Sequence, residues 1–288
     1  MKILLTGCTG QLGRELKRSL ACLGEVVACD RRQLDLADAN ALRTATRAMA
    51  PTVIVNAAAY TAVDKAEAEP AAADATNAAA PGILAEEAKR LGALLVHYST
   101  DYVFDGSKAT AYTEGDTTAP LSAYGRSKLA GEQAIVASGA RHLIFRTSWV
   151  YGLHGANFMK TMLRLGRERD ELRVVADQVG APTWTRHLAD VTGLILARRD
   201  VPVGLYHLAA AGETSWHGYA EAIFAEAQRA GLMEKSPAVH RIASADYPLP
   251  ARRPANSRLD CTKFRRDFDL ALPDWRIGLT DCLTDARF

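Results

Sequence analysis

The sequence predicts an α/β protein, a doubly wound, Rossmann-type parallel sheet followed by a smaller C-terminal substrate-binding lobe. Three observations carry this reading. Short apolar runs alternate with longer helical stretches as far as residue 148. A glycine-rich turn, Thr6-Gly7-Cys8-Thr9-Gly10-Gln11-Leu12-Gly13, leaves the first strand and opens the first helix. From Trp149 onward the rhythm loosens, and prolines cluster at Pro248, Pro250 and Pro254.

Lys2–Leu5 reads as a buried strand and Gln11–Leu23 as a helix. Glu25–Cys29 and Pro51–Val55 follow as strands, with a helix near Ala37–Met49 between them. The Ala-rich stretch Pro70–Leu91 predicts one long helix and Gly92–Tyr98 a fourth strand; Tyr124–Ala137 is a helix and Arg141–Arg146 a fifth strand. Strands flanked by helices at this spacing imply βαβ units and a parallel sheet covered on both faces. Beyond them lie shorter β-like pieces (Leu172–Val175, Gly204–Leu208, Val239–Ile242) and helices near Thr185–Arg198 and Trp216–Ala230. The expected division is a dinucleotide-binding domain over 1–148 and mainly a substrate lobe over 149–288, with segments free to return to the first domain. In open α/β sheets the ligand site lies at the C-terminal edges of the strands.

Composition narrows the class. A net charge of +2 over 288 residues gives no bias towards nucleic acid or anionic lipid. No run approaches the ~20 apolar residues that span a bilayer, and Met1–Thr6 is too short an apolar core for a signal peptide. The five cysteines form no CxxC pair or disulfide rhythm, which suits reduced thiols in the cytoplasm. The seven histidines show no HxxxH spacing, so metal catalysis is not expected.

Three motifs carry chemistry. In the first, Gly7 allows a tight turn and Gly10 lets the backbone approach a pyrophosphate. Gly13 permits close helix–strand packing, and the helix N-terminus offers free N–H groups. Asp30, one residue past the second strand, suits the ribose hydroxyls of NAD, whereas Arg31 and Arg32 suit a 2′-phosphate; the sequence leaves NADH against NADPH open. In the second, Tyr124-Gly125-Arg126-Ser127-Lys128, residues four apart share a helical face, and the cation is expected to lower the Tyr124 pKa for proton transfer. The third, His97-Tyr98-Ser99-Thr100-Asp101-Tyr102-Val103-Phe104, ends the fourth strand, where the Ser99 or Thr100 hydroxyl can hold a substrate carbonyl against the tyrosine.

Together these motifs resemble the extended short-chain dehydrogenase/reductase superfamily. Longer blocks are similar to one branch, the dTDP-4-dehydrorhamnose reductase family: Val55–Glu67 (VNAAAYTAVDKAE), His97–Phe104 (HYSTDYVF), Phe145–Tyr151 (FRTSWVY), Asp177–Thr183 (DQVGAPT) and Arg253–Leu259 (RPANSRL). The resemblance implies reduction of the 4-keto group of dTDP-4-dehydro-L-rhamnose to dTDP-L-rhamnose by NADPH or NADH, the last step of dTDP-L-rhamnose biosynthesis. It implies that Gly7, Gly10, Gln11, Leu12 and Gly13 cradle the pyrophosphate, that Asp30 meets the ribose, and that Asp35 and Leu36 flank the adenine. Ala59, Tyr60, Thr61 and Tyr98 match cofactor-lining positions. Tyr124 is the implied proton donor, with Lys128 on the nicotinamide ribose; Thr100 and Asp101 contact the sugar, and Trp149 packs against it.

Some relatives are implied to dimerise around Mg²⁺ held by acidic side chains. Here Glu15 is a candidate ligand, but Arg186 stands where a second carboxylate is needed, which argues against such a site and leaves a homodimer an open expectation. Other sugar-nucleotide epimerases and 4,6-dehydratases share the loop and the YxxxK. A dehydratase needs a second carboxylate after Asp101, and this chain has Tyr102. A non-catalytic dinucleotide-binding regulatory subunit is the alternative from outside enzymology.

Overall fold

The apolar runs of the first half lie side by side in the computed structural model, which describes residues 1–286. The strands are β1 (Lys2–Thr6), β2 (Glu25–Cys29), β3 (Val53–Asn56), β4 (Leu94–Thr100) and β5 (His142–Thr147). Between them run α1 (Gln11–Leu20), α2 (Ala39–Met49), α3 (Val63–Ala68), α4 (Pro70–Asp74), α5 (Ala80–Leu91) and α6 (Ala123–Ser138). The second half adds β6 (Val150–Tyr151), α7 (Phe158–Glu168), β7 (Glu171–Val175), β8 (Val179–Gly180), β9 (Thr183–Trp184) and α8 (Thr185–Leu196). It continues with β10 (Gly204–His207), β11 (Thr214–Ser215), α9 (Trp216–Arg229), β12 (Ala238–Ile242), α10 (Thr262–Phe268) and α11 (Trp275–Asp285).

The main sheet is parallel, in the order β2-β1-β3-β4-β5-β10. Its strands are apolar on both faces because helices cover both. Ile3, Leu5, Val55 and Val96 pack with Leu16 and Leu20 of α1, Leu188 and Ile195 of α8 and Phe264 of α10. The alternate residues Leu4, Ile54, Leu95 and Ile144 pack with Leu42 of α2, Leu84 of α5 and Ile135 of α6. This is the doubly wound fold that the sequence predicts.

The structure adds two features to the sequence reading, a sixth strand in the main sheet and a π-turn in the long helix. Gly204–Leu208 was placed among the β-like pieces of the second lobe, yet β10 pairs with β5 as the sixth strand of the main sheet. Helices α8 and α10 also return to the first core, so the chain beyond residue 148 serves both lobes. The long helix Pro70–Leu91 contains a π-turn over Ala75–Ala79. Such a widening is frequent at functional sites, and here it holds Asn77 buried. The second lobe has its own core, with Tyr151, Met159, Leu172, Trp184, Tyr219, Phe224, Trp275 and Leu279. Its strands β7 and β12 pair in parallel. Among the described residues no helix is long and apolar enough to cross a membrane.

Candidate active site

The glycine turn between β1 and α1 is shaped by steric necessity. Gly7 has φ +71°, and a Cβ there would stand 2.6 Å from the Ala58 nitrogen. A Cβ on Gly13 would stand 2.0 Å from the Gly7 carbonyl oxygen, so the helix touches the turn backbone to backbone. No side chain caps α1, and its first turn carries no acidic residue. The helix start therefore presents its amides to the cleft, with a partial positive charge that suits a pyrophosphate. The Gln11 side chain is held by Asn157 of the second lobe, whose Nδ2 donates to Gln11 Oε1 at 2.8 Å.

At the C-terminal end of β4 the second and third motifs meet. The Tyr124 phenol lies beside the Thr100 hydroxyl, and burial pushes its pKa up to about 12, Thr100 opposing and the Asp101 charge adding to the rise. Thr100 Oγ1 donates to Asp101 Oδ1 at 3.1 Å and accepts the Tyr102 N–H at 3.2 Å. Asp101 is buried, its carboxyl raised to about 6 by that burial, and its Oδ2 has no hydrogen-bond partner. Of the two hydroxyls the sequence left open, Thr100 faces the tyrosine. Ser99 donates instead to Glu132, which is paired with Arg146 at 2.6 Å in the core.

Lys128 corrects one expectation. The sequence reading has its charge lowering the Tyr124 pKa, but the phenol is raised, because burial outweighs every other influence on it. Lys128 Nζ is engaged below the tyrosine, donating to the Tyr98 carbonyl at 2.7 Å and lying 3.1 Å from His97 Nε2. Burial lowers Lys128 itself to about 8, with the Glu132 charge pulling the other way.

The walls join residues that the sequence reading named to others that it passed over. The Tyr102 ring stands edge-on to Tyr124, centroids 5.6 Å apart. Arg253 pairs with Asp64 at 2.8 Å and reaches Tyr102, joining the second lobe to α3 beside the site. Asn77, in the π-turn, accepts the Tyr60 N–H at 2.8 Å and donates to Ser127 of α6 at 3.0 Å. An asparagine inside an alanine-rich helix was the available signal, since that residue is a weak helix former. Trp149 adopts φ +48° and stacks on Trp216 at 3.6 Å and 9°, over Gly180, where a Cβ would strike the indole.

The model of the RmlD substrate binding domain family matches residues 1–288. This chain belongs to that family. It is 50% identical over 295 residues to a dTDP-4-dehydrorhamnose reductase of Burkholderia thailandensis, with 99% of each covered. Among solved structures it is similar to a dTDP-4-dehydrorhamnose reductase from Clostridium acetobutylicum, with TM-score 0.93, 38% identity and 100% of both chains covered. It is also similar to one from Bacillus anthracis in complex with NADP, with TM-score 0.92, 34% identity and 99% of both covered.

In this member of the RmlD family the remaining candidate residues fall in three places. Asp30 lies just past β2, where its Oδ1 accepts the Arg32 and Gln33 amides. Arg31 is exposed and reaches Asp35 at 3.5 Å, and Leu36 is buried against Leu34 and Leu42. Ala59, Tyr60 and Thr61 leave β3, with the Tyr60 hydroxyl donating to Glu69 at 2.6 Å. Tyr98 points into the core, its hydroxyl 2.7 Å from Thr192 Oγ1, so its carbonyl alone addresses the site through Lys128. Glu15 is engaged by Arg18 and Arg186, both at 3.2 Å, and Arg186 also pairs with Asp285. A carboxylate held by two guanidiniums does not suit a divalent cation. The Arg253 and Arg258 guanidiniums are likewise engaged, with Asp64 and with Glu213 at 2.8 Å.

Proposed function

We propose that this chain reduces the 4-keto group of dTDP-4-dehydro-L-rhamnose to dTDP-L-rhamnose with NADPH or NADH, completing dTDP-L-rhamnose synthesis in the cytoplasm. The observation that carries the reading is the convergence of Tyr124, Thr100 and Asp101 at the end of β4, beside an uncapped glycine-turn helix. The chain supplies what a dinucleotide needs. Gly7, Gly10, Gln11, Leu12 and Gly13 present backbone to the pyrophosphate, and the steric crowding at Gly7 and Gly13 keeps that surface free of side chains. Asp30, Asp35 and Leu36 lie towards the adenosine, and Ala59, Tyr60 and Thr61, with the Tyr98 carbonyl, line the other wall. Lys128 addresses the nicotinamide ribose. When bound, the cofactor supplies the hydride.

The remaining chemistry belongs to the protein. Thr100 orients the Tyr124 phenol, and a phenol held near 12 stays protonated until a strongly basic oxygen appears beside it. Tyr124 gives that oxygen its proton. Asp101, with an unpaired Oδ2, accepts a sugar hydroxyl, and Trp149, its faces taken by Trp216 and Gly180, turns an edge towards the sugar. Residues 1–148 hold the cofactor in this reading, and 149–288 mainly hold the sugar nucleotide. All five cysteines are free thiols, which supports the cytoplasmic setting.

The test is cofactor oxidation by the purified protein with dTDP-4-dehydro-L-rhamnose, NADH and NADPH compared side by side. Tyr124→Phe should lower kcat by about 10²-fold or more with the fold intact. No oxidation by the unaltered protein, or full activity in Tyr124→Phe, refutes the reading.

A further inference from the structure

The block Val63–Glu67 (VDKAE) has no task in the proposed reaction, although it forms most of α3, beside the start of α6. Helix α6 carries Tyr124 in its first turn, where backbone amides have no partners within the helix. The Ser122 hydroxyl accepts the Gly125 amide at 3.1 Å. The Ala123 amide, one residue before Tyr124, is taken from outside the helix, by Glu67 Oε1 at 2.8 Å. The first turn of α6 has no acidic residue of its own, so Glu67 brings a carboxylate to its positive end.

Packing brings the two helices together. Ala66 of α3 and Ala123 of α6 are buried in one cluster, and Tyr124 packs against it. A Cβ on Gly125 would stand 2.2 Å from the Tyr102 carbonyl oxygen, so the same turn also rests on the end of the substrate-facing strand segment. Helix α3 is itself well pinned. Asp64 accepts the Ala251 amide at 3.2 Å and pairs with Arg253 at 2.8 Å, which ties α3 to the second lobe. Just past its C-terminal end Glu69 accepts the Tyr60 hydroxyl at 2.6 Å. A side chain carried on a helix held at both ends has a definite place, and Arg126 of α6 lies 3.9 Å from the Glu67 carboxylate.

We propose that Glu67 is a positioning residue, which through the Ala123 amide sets the start of α6 and with it the place of the Tyr124 phenol. What it supplies is reach. An acceptor oxygen at the right distance fixes a turn that would otherwise fray, and a proton donor displaced by a fraction of an ångström transfers its proton less well. The consequence for turnover rests on the proposed reductase reading, but the hold on Ala123 is a property of the free chain.

Two substitutions separate reach from charge. Glu67→Gln keeps the length and an acceptor oxygen without the charge, whereas Glu67→Asp keeps the charge and is one methylene short of Ala123. In steady-state assays with dTDP-4-dehydro-L-rhamnose and NADPH, Glu67→Gln should keep kcat within about twofold. Glu67→Asp should lose about tenfold in kcat, with KM for NADPH unchanged. Amide hydrogen exchange of the cofactor-free proteins, followed by NMR, needs no turnover. Ala123 should exchange about tenfold faster in Glu67→Asp and at the original rate in Glu67→Gln. Full kcat in Glu67→Asp, a loss in Glu67→Gln as large as in Glu67→Asp, or unchanged Ala123 exchange in Glu67→Asp overturns the inference. If Glu67→Asp does not fold, Glu67→Met, with the length but no such acceptor, takes its place under the same outcomes. Slow Ala123 exchange in an unaltered protein that does not turn over the sugar nucleotide would instead refute the proposed reaction, and the exchange rates alone would then decide the role of Glu67.

Discussion

Replacing Asp101 by asparagine removes a charge from the most confined part of the site, and the structure fixes the size of the effect. The carboxyl is 2% exposed, and burial raises it from 3.8 to about 6 against the opposing Ser257 and Thr100 hydrogen bonds. A shift of ~2 units corresponds to ~3 kcal/mol. Because the folded-state value is raised, the protonated form is favoured by folding. Its contribution is complete below 3.8 and is lost as the pH rises through about 6. Asparagine cannot ionise. The fixed cost of its amide is the same at every pH, so it cancels when two pH values are compared. Urea unfolding of both chains at pH about 4 and about 8 should show Asp101→Asn gaining ~2.5 kcal/mol on the original protein between them, the unfolded carboxyl being already partly ionised at the lower pH. Turnover should fall over the same substitution, a charged group at the sugar being retained at the expense of stability. A stability difference independent of pH would refute this account of Asp101.

Three further outcomes follow from geometry. Gly13→Ala puts a Cβ 2.0 Å from the Gly7 carbonyl oxygen, so it should cost ~1–3 kcal/mol in thermal unfolding and weaken NADPH binding about tenfold in a fluorescence titration. Glu132→Gln strands the buried Arg146 guanidinium and should cost ~3–5 kcal/mol in chemical denaturation, part of it recovered on adding Arg146→Met. Trp216→Leu removes the ring that supports Trp149; steady-state kinetics should show a rise of about 2- to 10-fold in KM for the sugar nucleotide, with KM for the cofactor unchanged.

The glycine turn, the strand that ends in Thr100 and Asp101, and the helix that carries Tyr124 and Lys128 were all legible in the sequence. Each is local: a few residues at fixed spacing specify a turn, a strand end or one helical face. What escaped depends on contacts between distant segments. Nothing within Gly204–Leu208 says that β5 is its neighbour, since a short apolar strand fits any sheet edge. The direction of the Tyr124 shift also escaped, because spacing places Lys128 one turn away but does not reveal how deeply the phenol is buried. The Arg253–Asp64 pair joins residues 189 positions apart and has no local signature.

The return of β10, α8 and α10 to the first core bears on how such a protein acquires new substrates. In the proposed reading the part that meets the sugar is threaded through the part that meets the cofactor, so it cannot be exchanged as a cassette by one crossover near residue 148. A chimera joined there would give the main sheet a foreign edge strand and α1 a foreign partner helix. New specificity in this architecture must come from point changes and loop grafts around Trp149, Gly180 and Trp216, with the threaded segments left in place.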